Sequence, residues 1–395
     1  MQFVLVADTF PPLRNSGAVQ LRDLSREFVR QGHSLTVLLP SVNQNGSWSV
    51  SEVDGAEVLR LKAPNTKDMG YVRRTLSELI MPFAMLRGLQ RSPLAEIQWD
   101  GVLWYSPSIF HGPLVAALKK RSKTKSYLIV RDIFPEWAAD MGLMSRGLLY
   151  RFFKAIANYQ YSVADFIGVQ TSGNLKYFKR WVRPNRELQV LPNWLGEPTL
   201  RPCSIRIDDT MLAGRQIFVY AGNMGVAQGL DSILQLAKSF SANRSVGFLF
   251  VGRGSEVQRL KDEANKASLD NCAFFDEIDP DEIPGLYAQC SVGIVSLDCR
   301  HNSHNIPGKF LTYMQCGLPV LANINLGNDL AQLIRSERVG RVCETNSVAD
   351  LYQLAVDLLT EIELDDRLSS RCTAVFDREF AVEKVVLQIV SALGY

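Results

Sequence analysis

The sequence predicts an α/β protein of two Rossmann-like domains facing a central cleft, on three observations. Apolar runs of strand length alternate with amphipathic helical stretches along nearly the whole chain, a rhythm that builds largely parallel sheets covered on both faces. At 395 residues the chain exceeds one ordinary core. The rhythm breaks at residues 193–210, a polar, proline-containing stretch without period. The expected organisation is a first domain over 1–192, a linker over 193–210, a second domain over 211–378, and a closing amphipathic helix over 379–395 that is free to return to the first domain.

In the first half the strand runs are 3–8, 34–40, 56–63, 101–106, 126–132 and 166–171, bounded by Gly, Pro, Asn, Ser or charged residues. Between the first two, Leu21, Leu24, Phe28 and Val29 make an apolar helical stripe, Arg22, Arg26 and Arg30 line a polar face, and Gly32 ends the helix. The second half repeats the style with runs at 217–223, 246–252, 272–278, 291–297 and 318–324. Ligands of such sheets sit beyond the carboxyl ends of the strands, so function is expected in the loops that follow them.

Net charge is +2, yet residues 1–195 hold 25 Lys and Arg against 15 Asp and Glu, while residues 196–395 hold 18 against 26. This asymmetry points to a basic face with an anionic partner. Dispersed basic residues flank apolar and aromatic ones at 71–91 and 177–183, which favours an anionic membrane surface over nucleic acid. A helix buried on its own protein accounts for the same pattern. No apolar run approaches the roughly 20 residues of a membrane span, and the opening lacks signal-peptide features, so a cytoplasmic protein, peripheral on the membrane, is expected. The seven cysteines are scattered without a C-x-x-C pair, suggesting neither a disulfide framework nor a zinc site.

Four loops carry candidate chemistry. Residues 8–18 place Asn15, Ser16 and Gly17 at a helix start, where exposed amides attract a phosphate or another electron-rich group; any βα loop with a helix cap looks alike. Residues 131–137 offer Arg131, Asp132 and Glu136 at a strand end. There Asp132 either meets a ligand hydroxyl or pairs with Arg131 while Pro135 and Glu136 open a helix. The glycine-rich stretch 220–231, with Asn223, Gly225 and Gln228, and the loop 251–256, with Arg253, let a diphosphate approach the backbone. Neither is a dinucleotide fingerprint or a P-loop.

The segment 302–322 is the most informative. Asn305 is expected to cap a helix running to about Gln315, with Asn305, Lys309 and Thr312 on one face. Lys309 then sits in the first turn, where the helix dipole disfavours a cation; a bound diphosphate would reverse that penalty, and a solvated lysine is the bland alternative. Asp279 and Asp281 spell D-x-D, but capping of a helix explains them, and no metal is expected.

Together these segments resemble the family 4 glycosyltransferases of the GT-B fold over nearly the whole chain. FPPLRNSGAVQLRDLSREFVRQGHSLTVLLP resembles the family's first βα unit, RDIFPEWAADMG its mid-domain signature and VLPNW its interdomain signpost. YAGNMGVAQGLD and NIPGKFLTYMQCGLPVLA are similar to WbuB-like bacterial enzymes that transfer an N-acetylated deoxyamino sugar such as L-fucosamine (FucNAc). The resemblance implies a retaining transfer, without cofactor or metal, from a nucleotide diphosphate sugar, UDP-linked, to a lipid-linked saccharide in O-antigen, lipopolysaccharide or capsule biosynthesis. Lys309 matches a phosphate-binding position and Gly17 the small residue near the diphosphate, and Asn223, Gly225, Gln228, Arg253, His304, Asn305, Gly308 and Thr312 are the further donor contacts expected around them. Asn15, Ser16, Arg131 and Glu136 become acceptor or sugar contacts, and Asp132 the catalytic carboxylate. The chain departs from the family at His304 and Thr312, which stand where two glutamates are usual, and at Asn223 and Gln228, which replace Arg and Lys. Those departures keep two rivals open: a nucleotide-sugar 2-epimerase-like enzyme and a catalytically silent nucleotide-sugar-binding subunit.

Overall fold

The computed structural model describes residues 1–13, 15–198, 201–300 and 305–395. They form two units, Met1–Gly196 with Val382–Tyr395, and Glu197–Ala381. The first unit holds strands β1 (Gln2–Val6), β2 (Ser34–Ser41), β3 (Trp48–Val53), β4 (Ala56–Lys62), β5 (Gly101–Ser106), β6 (Lys125–Val130), β7 (Phe166–Val169) and β8 (Glu187–Val190). They make one sheet in the order β3-β4-β2-β1-β5-β6-β7-β8, parallel except where β3 runs against β4. Its helices are α1 (Ser16–Arg30), α2 (Tyr71–Leu89), α3 (Gly112–Ser122), α4 (Glu136–Asp140) and α5 (Leu148–Val163).

Alternation along β1 divides the core. Val4 and Val6 face Met81 and Met85 of α2, Leu114 of α3 and Phe153 of α5, while Phe3 and Leu5 face Leu21, Leu24 and Phe28 of α1. Strands β3 and β8 were not anticipated. β3 is an edge strand with four of its six residues exposed, and β8 is a four-residue edge strand with no fully buried position; neither needs the apolar run that marks a central strand.

The second unit carries β9 (Gln216–Ala221), β10 (Val246–Val251), β11 (Cys272–Phe275), β12 (Val292–Ser296), β13 (Val320–Asn323) and β14 (Gly340–Cys343), all parallel, in the order β11-β10-β9-β12-β13-β14. Its helices are α6 (Asp231–Ser239), α7 (Val257–Lys266), α8 (Ile283–Tyr287), α9 (Gly308–Gln315), α10 (Asp329–Glu337), α11 (Val348–Leu364) and α12 (Leu368–Glu379). Beyond it α13 (Val382–Leu393) lies in the first unit, burying Val382, Val385, Val386, Ile389, Val390 and Leu393 in the core shared with α1. Segment 193–210, read as a linker, is divided between the units at Gly196 and Glu197. Trp194 is fully buried in the first core.

Each sheet reverses its strand order once, between β1 and β5 and between β9 and β12. Crossovers leave such a point in opposite directions and open a crevice at the carboxyl ends of the strands.

Candidate functional site

At the reversal in the second unit, α9 stands beside the ends of β9 and β12. It begins at Gly308 with Pro307 as its cap residue, so the expectation that Asn305 caps it is corrected. A proline disfavours helical backbone at the residue before it, which excludes Ile306 from the helix. Tyr313 fixes the helix to the sheet: its hydroxyl lies 3.0 Å from the Val219 carbonyl and 3.2 Å from that of Ile294, across the short β9–β12 ladder. Lys309, four residues earlier, shares that face. Its Nζ sits 3.4 Å from the centroid of the Tyr220 ring, at the end of β9. Lys309 is half-buried, and loss of water pushes its ammonium well below the usual lysine range, with no carboxylate offsetting the shift.

The glycine-rich loop closes on the same place. A Cβ at Gly222, whose φ is +136°, would stand 3.7 Å from the Lys309 Nζ, and the Tyr220 hydroxyl donates to the Asn223 carbonyl at 2.6 Å. Gln228 is less free than the sequence suggests. Its Oε1 accepts from the Gly225 amide at 3.0 Å and from Asn223 Nδ2 at 3.2 Å, so the two side chains brace the loop. Arg253 is exposed and paired with Glu277 at 3.0 Å. Nothing crowds a Cβ at Gly308, and Thr312 is half-buried one turn beyond Lys309. His304 lies outside the described residues. The Asp279 carboxylate caps its short helical turn by accepting from the Asp281 amide at 3.1 Å.

At the reversal in the first unit, Asn15 caps α1, its Oδ1 accepting from the Ala18 amide and the Thr9 hydroxyl, each at 2.9 Å. Ser16 is exposed, and a side chain at Gly17 would press on Thr9 at 3.1 Å. Asp132 follows β6 and is exposed to water, yet desolvation by the surrounding protein raises its carboxyl above the usual range, against the pull of Arg131. Two expected ligand contacts are corrected here. Arg131 is buried, donates to the Leu191 and Pro192 carbonyls at 3.0 and 3.3 Å, and stacks 4.4 Å from the centroid of a Trp194 ring. Glu136 is buried and bonded to Lys154 of α5. Both side chains are engaged inside the fold, where a buried charge needs such partners.

Sequence reasoning missed the ring beneath Lys309 and a pair formed by the buried His111 and the half-exposed Asp8, whose nitrogen and oxygen are 2.7 Å apart. Asp8 ends the first strand run and opens the loop 8–18, in which Asn15, Ser16 and Gly17 carry the expectation instead. A lone histidine 103 positions away gives no local signal that the two meet.

Residues 17–194 match the family model described as "Glycosyl transferase 4-like domain", and residues 215–361 that described as "Glycosyl transferases group 1". The probable glycosyltransferase WbjE of Pseudomonas aeruginosa is 27% identical over 245 residues, 61% of this chain and 61% of WbjE. The match thus spans about three fifths of that relative's length. Among solved structures, WaaG, a glycosyltransferase involved in lipopolysaccharide biosynthesis, is 16% identical with a TM-score of 0.66 over 99% of both chains. HepE of Anabaena, solved with UDP and glucose, is 13% identical with a TM-score of 0.66 over 99% of this chain and 98% of its own. These likenesses identify the fold as GT-B.

Proposed function

Because the chain belongs to the glycosyltransferases built from a 4-like domain and a group 1 domain, we propose that it transfers a sugar from a UDP-linked donor to a lipid-linked saccharide in surface polysaccharide assembly. The observation that carries the reading is Lys309: a half-buried ammonium resting on the Tyr220 ring, with no carboxylate among the described residues offsetting its loss of water, at a helix N-terminus, at the reversal of a parallel sheet. A diphosphate supplies the missing negative charge, and the free amides that open α9 share it. WaaG and HepE support the setting, one by its lipopolysaccharide role and the other by its bound UDP.

In the reaction the bond from the anomeric carbon to the donor phosphate oxygen breaks and a bond to the acceptor oxygen forms on the same face. The acceptor proton passes to the departing phosphate oxygen. Lys309 and the α9 amides stabilise the charge that develops on the diphosphate, and neither a metal nor a cofactor is required. Asp132 steers the acceptor hydroxyl or touches the transferred sugar, and the sugar is an N-acetylated deoxyamino hexose such as FucNAc.

Thermal-shift measurement with UDP and a panel of UDP-sugars tests the donor half of the reading, since a ligand of the native state raises apparent stability. No shift with any of them refutes it. Release of UDP from donor alone marks the epimerase-like rival. Thr312, standing where a glutamate is usual, favours the silent subunit, which binds donor but releases no UDP even with membrane lipid extract.

The surface of α2 supports a peripheral membrane contact. Val72, Leu76, Ile80 and Phe83 are each more than half exposed and fall on one stripe, opposite the buried Met81, Met85 and Leu89. Arg73 and Arg87 border the stripe and are exposed. On the same face of the sheet α5 exposes Leu148, Leu149 and Phe152 beside Arg151. Apolar groups that enter an interface next to cations that meet lipid phosphate fit an anionic leaflet. Among the described residues no helix is long and apolar enough to cross a membrane.

A further inference from the structure

A pair at the β1–β5 reversal, one partner buried and the other half-exposed, has no assignment in the transfer reading. Asp8 follows β1, and His111 stands at the start of α3, after β5. His111 Nε2 lies 2.7 Å from Asp8 Oδ1; the ring is fully buried, while the carboxylate keeps 34% of its surface. Nδ1 of His111 has no partner among the described residues. Of the two ring nitrogens only Nε2 has an acceptor within reach among the described residues, so it is the Nε2 hydrogen that is donated to Asp8.

Three strand-end loops converge on this carboxylate: its own, the one carrying Lys67 after β4, and the one carrying Ser108 after β5. Desolvation works to raise the Asp8 carboxyl, but His111, Ser108 and Lys67 outweigh it and hold the group below the usual range. Glu78 of α2 is a further charged group that senses it. A carboxylate held in this way stays ionised and can only accept hydrogen bonds. Its charge repels phosphate and suits a hydroxyl, so it does not fit a nucleotide and does fit a neutral saccharide. β5 separates β1 from β6, which puts Asp8 and Asp132 roughly 10 Å apart along one sheet edge at the usual strand spacing.

We infer that Asp8 binds a hydroxyl of the acceptor saccharide through its exposed carboxylate surface, and that His111 is the positioning residue that fixes its carboxylate. The inference rests on the glycosyl-transfer reading and adds an acceptor contact that sets specificity.

The test is steady-state transfer from the UDP-sugar with the largest thermal shift to lipid-linked saccharides extracted from bacterial membranes. Asp8→Asn raises the acceptor KM at least tenfold and leaves the donor KM within twofold. His111→Phe, which removes the donor and fills the space, gives the same split. His111→Gln, which keeps an N–H near the Nε2 position, restores the acceptor KM to within about threefold. Melting temperatures of the three variants establish that they are folded. Equal changes in both KM values, an unchanged acceptor KM in Asp8→Asn, or a Gln variant no better than the Phe variant overturns the inference while the transfer reading stands. Wild-type protein that transfers nothing overturns both.

Discussion

Lys309 loses water on folding without gaining a carboxylate, and this makes its proton part of the binding equilibrium. Its native pKa is depressed, so between that value and the ordinary lysine value the unfolded chain holds a proton the native chain lacks, and stability contributed by this group rises with pH across that window. A bound diphosphate restores the charge. Above the unliganded Lys309 pKa, UDP binding is therefore expected to take up a proton, and affinity to fall as pH rises through that pKa. Calorimetry in two buffers of different ionisation enthalpy measures the uptake. Lys309→Ala is expected to abolish it and to weaken UDP binding at least tenfold while the protein stays folded; unchanged affinity refutes the role. The lysine was legible from its place near the start of an apolar-periodic helix. Tyr220 beneath it was not, because a ring that alternation marks as core also supplies the face on which the ammonium rests. Arg131 and Glu136 looked like ligand contacts for the converse reason: local sequence shows a charge at a strand end, and only the packed fold shows it turned inward onto carbonyls or a lysine.

Elements were legible in proportion to how much of each is buried. The central strands β1, β2, β5 and β6 read as apolar runs because both their faces are covered, whereas β3, β8 and the edge strand β14 offer little or no such run. The start of α9 lies two residues later than Asn305 suggests, because Asn305 is a good cap by type and the constraint from Pro307 overrides it. Removing the hydroxyl that ties α9 to the sheet, in Tyr313→Phe, is expected to cost about 1–2 kcal/mol of stability, read as a lowered urea midpoint. It should also weaken UDP binding by loosening the ammonium four residues away. The outer stripe of α2 gives the opposite signature. Leu76→Glu with Phe83→Glu changes groups that bury little in the fold, so stability should move by only a few tenths of a kcal/mol per site. Flotation on vesicles of anionic lipid should be lost, and undiminished flotation counts against α2 as the membrane face.

At the scale of the molecule, the break in rhythm near residue 193 was readable, because a change of unit interrupts the strand-helix alternation. Its fine placement was not, since Trp194 continues the first core beyond the last apolar run. The return of the chain leaves a mark in the α13 sequence only as an apolar stripe, which does not name the surface it covers. Six of its residues are buried in the first unit, each worth about 2 kcal/mol as an upper estimate. A chain ending at Ala381 is expected to lose cooperative melting of the first unit while the second still binds UDP, a separation that differential scanning calorimetry with and without nucleotide would reveal. The same arrangement sets an order of events during synthesis. Everything that completes the sheet around Lys309 leaves the ribosome before residues 382–393 do, so a nascent chain can present a finished second unit while Phe3, Leu5 and Phe166 still await their cover. Chaperone dependence should therefore fall on the half that is translated first and finished last.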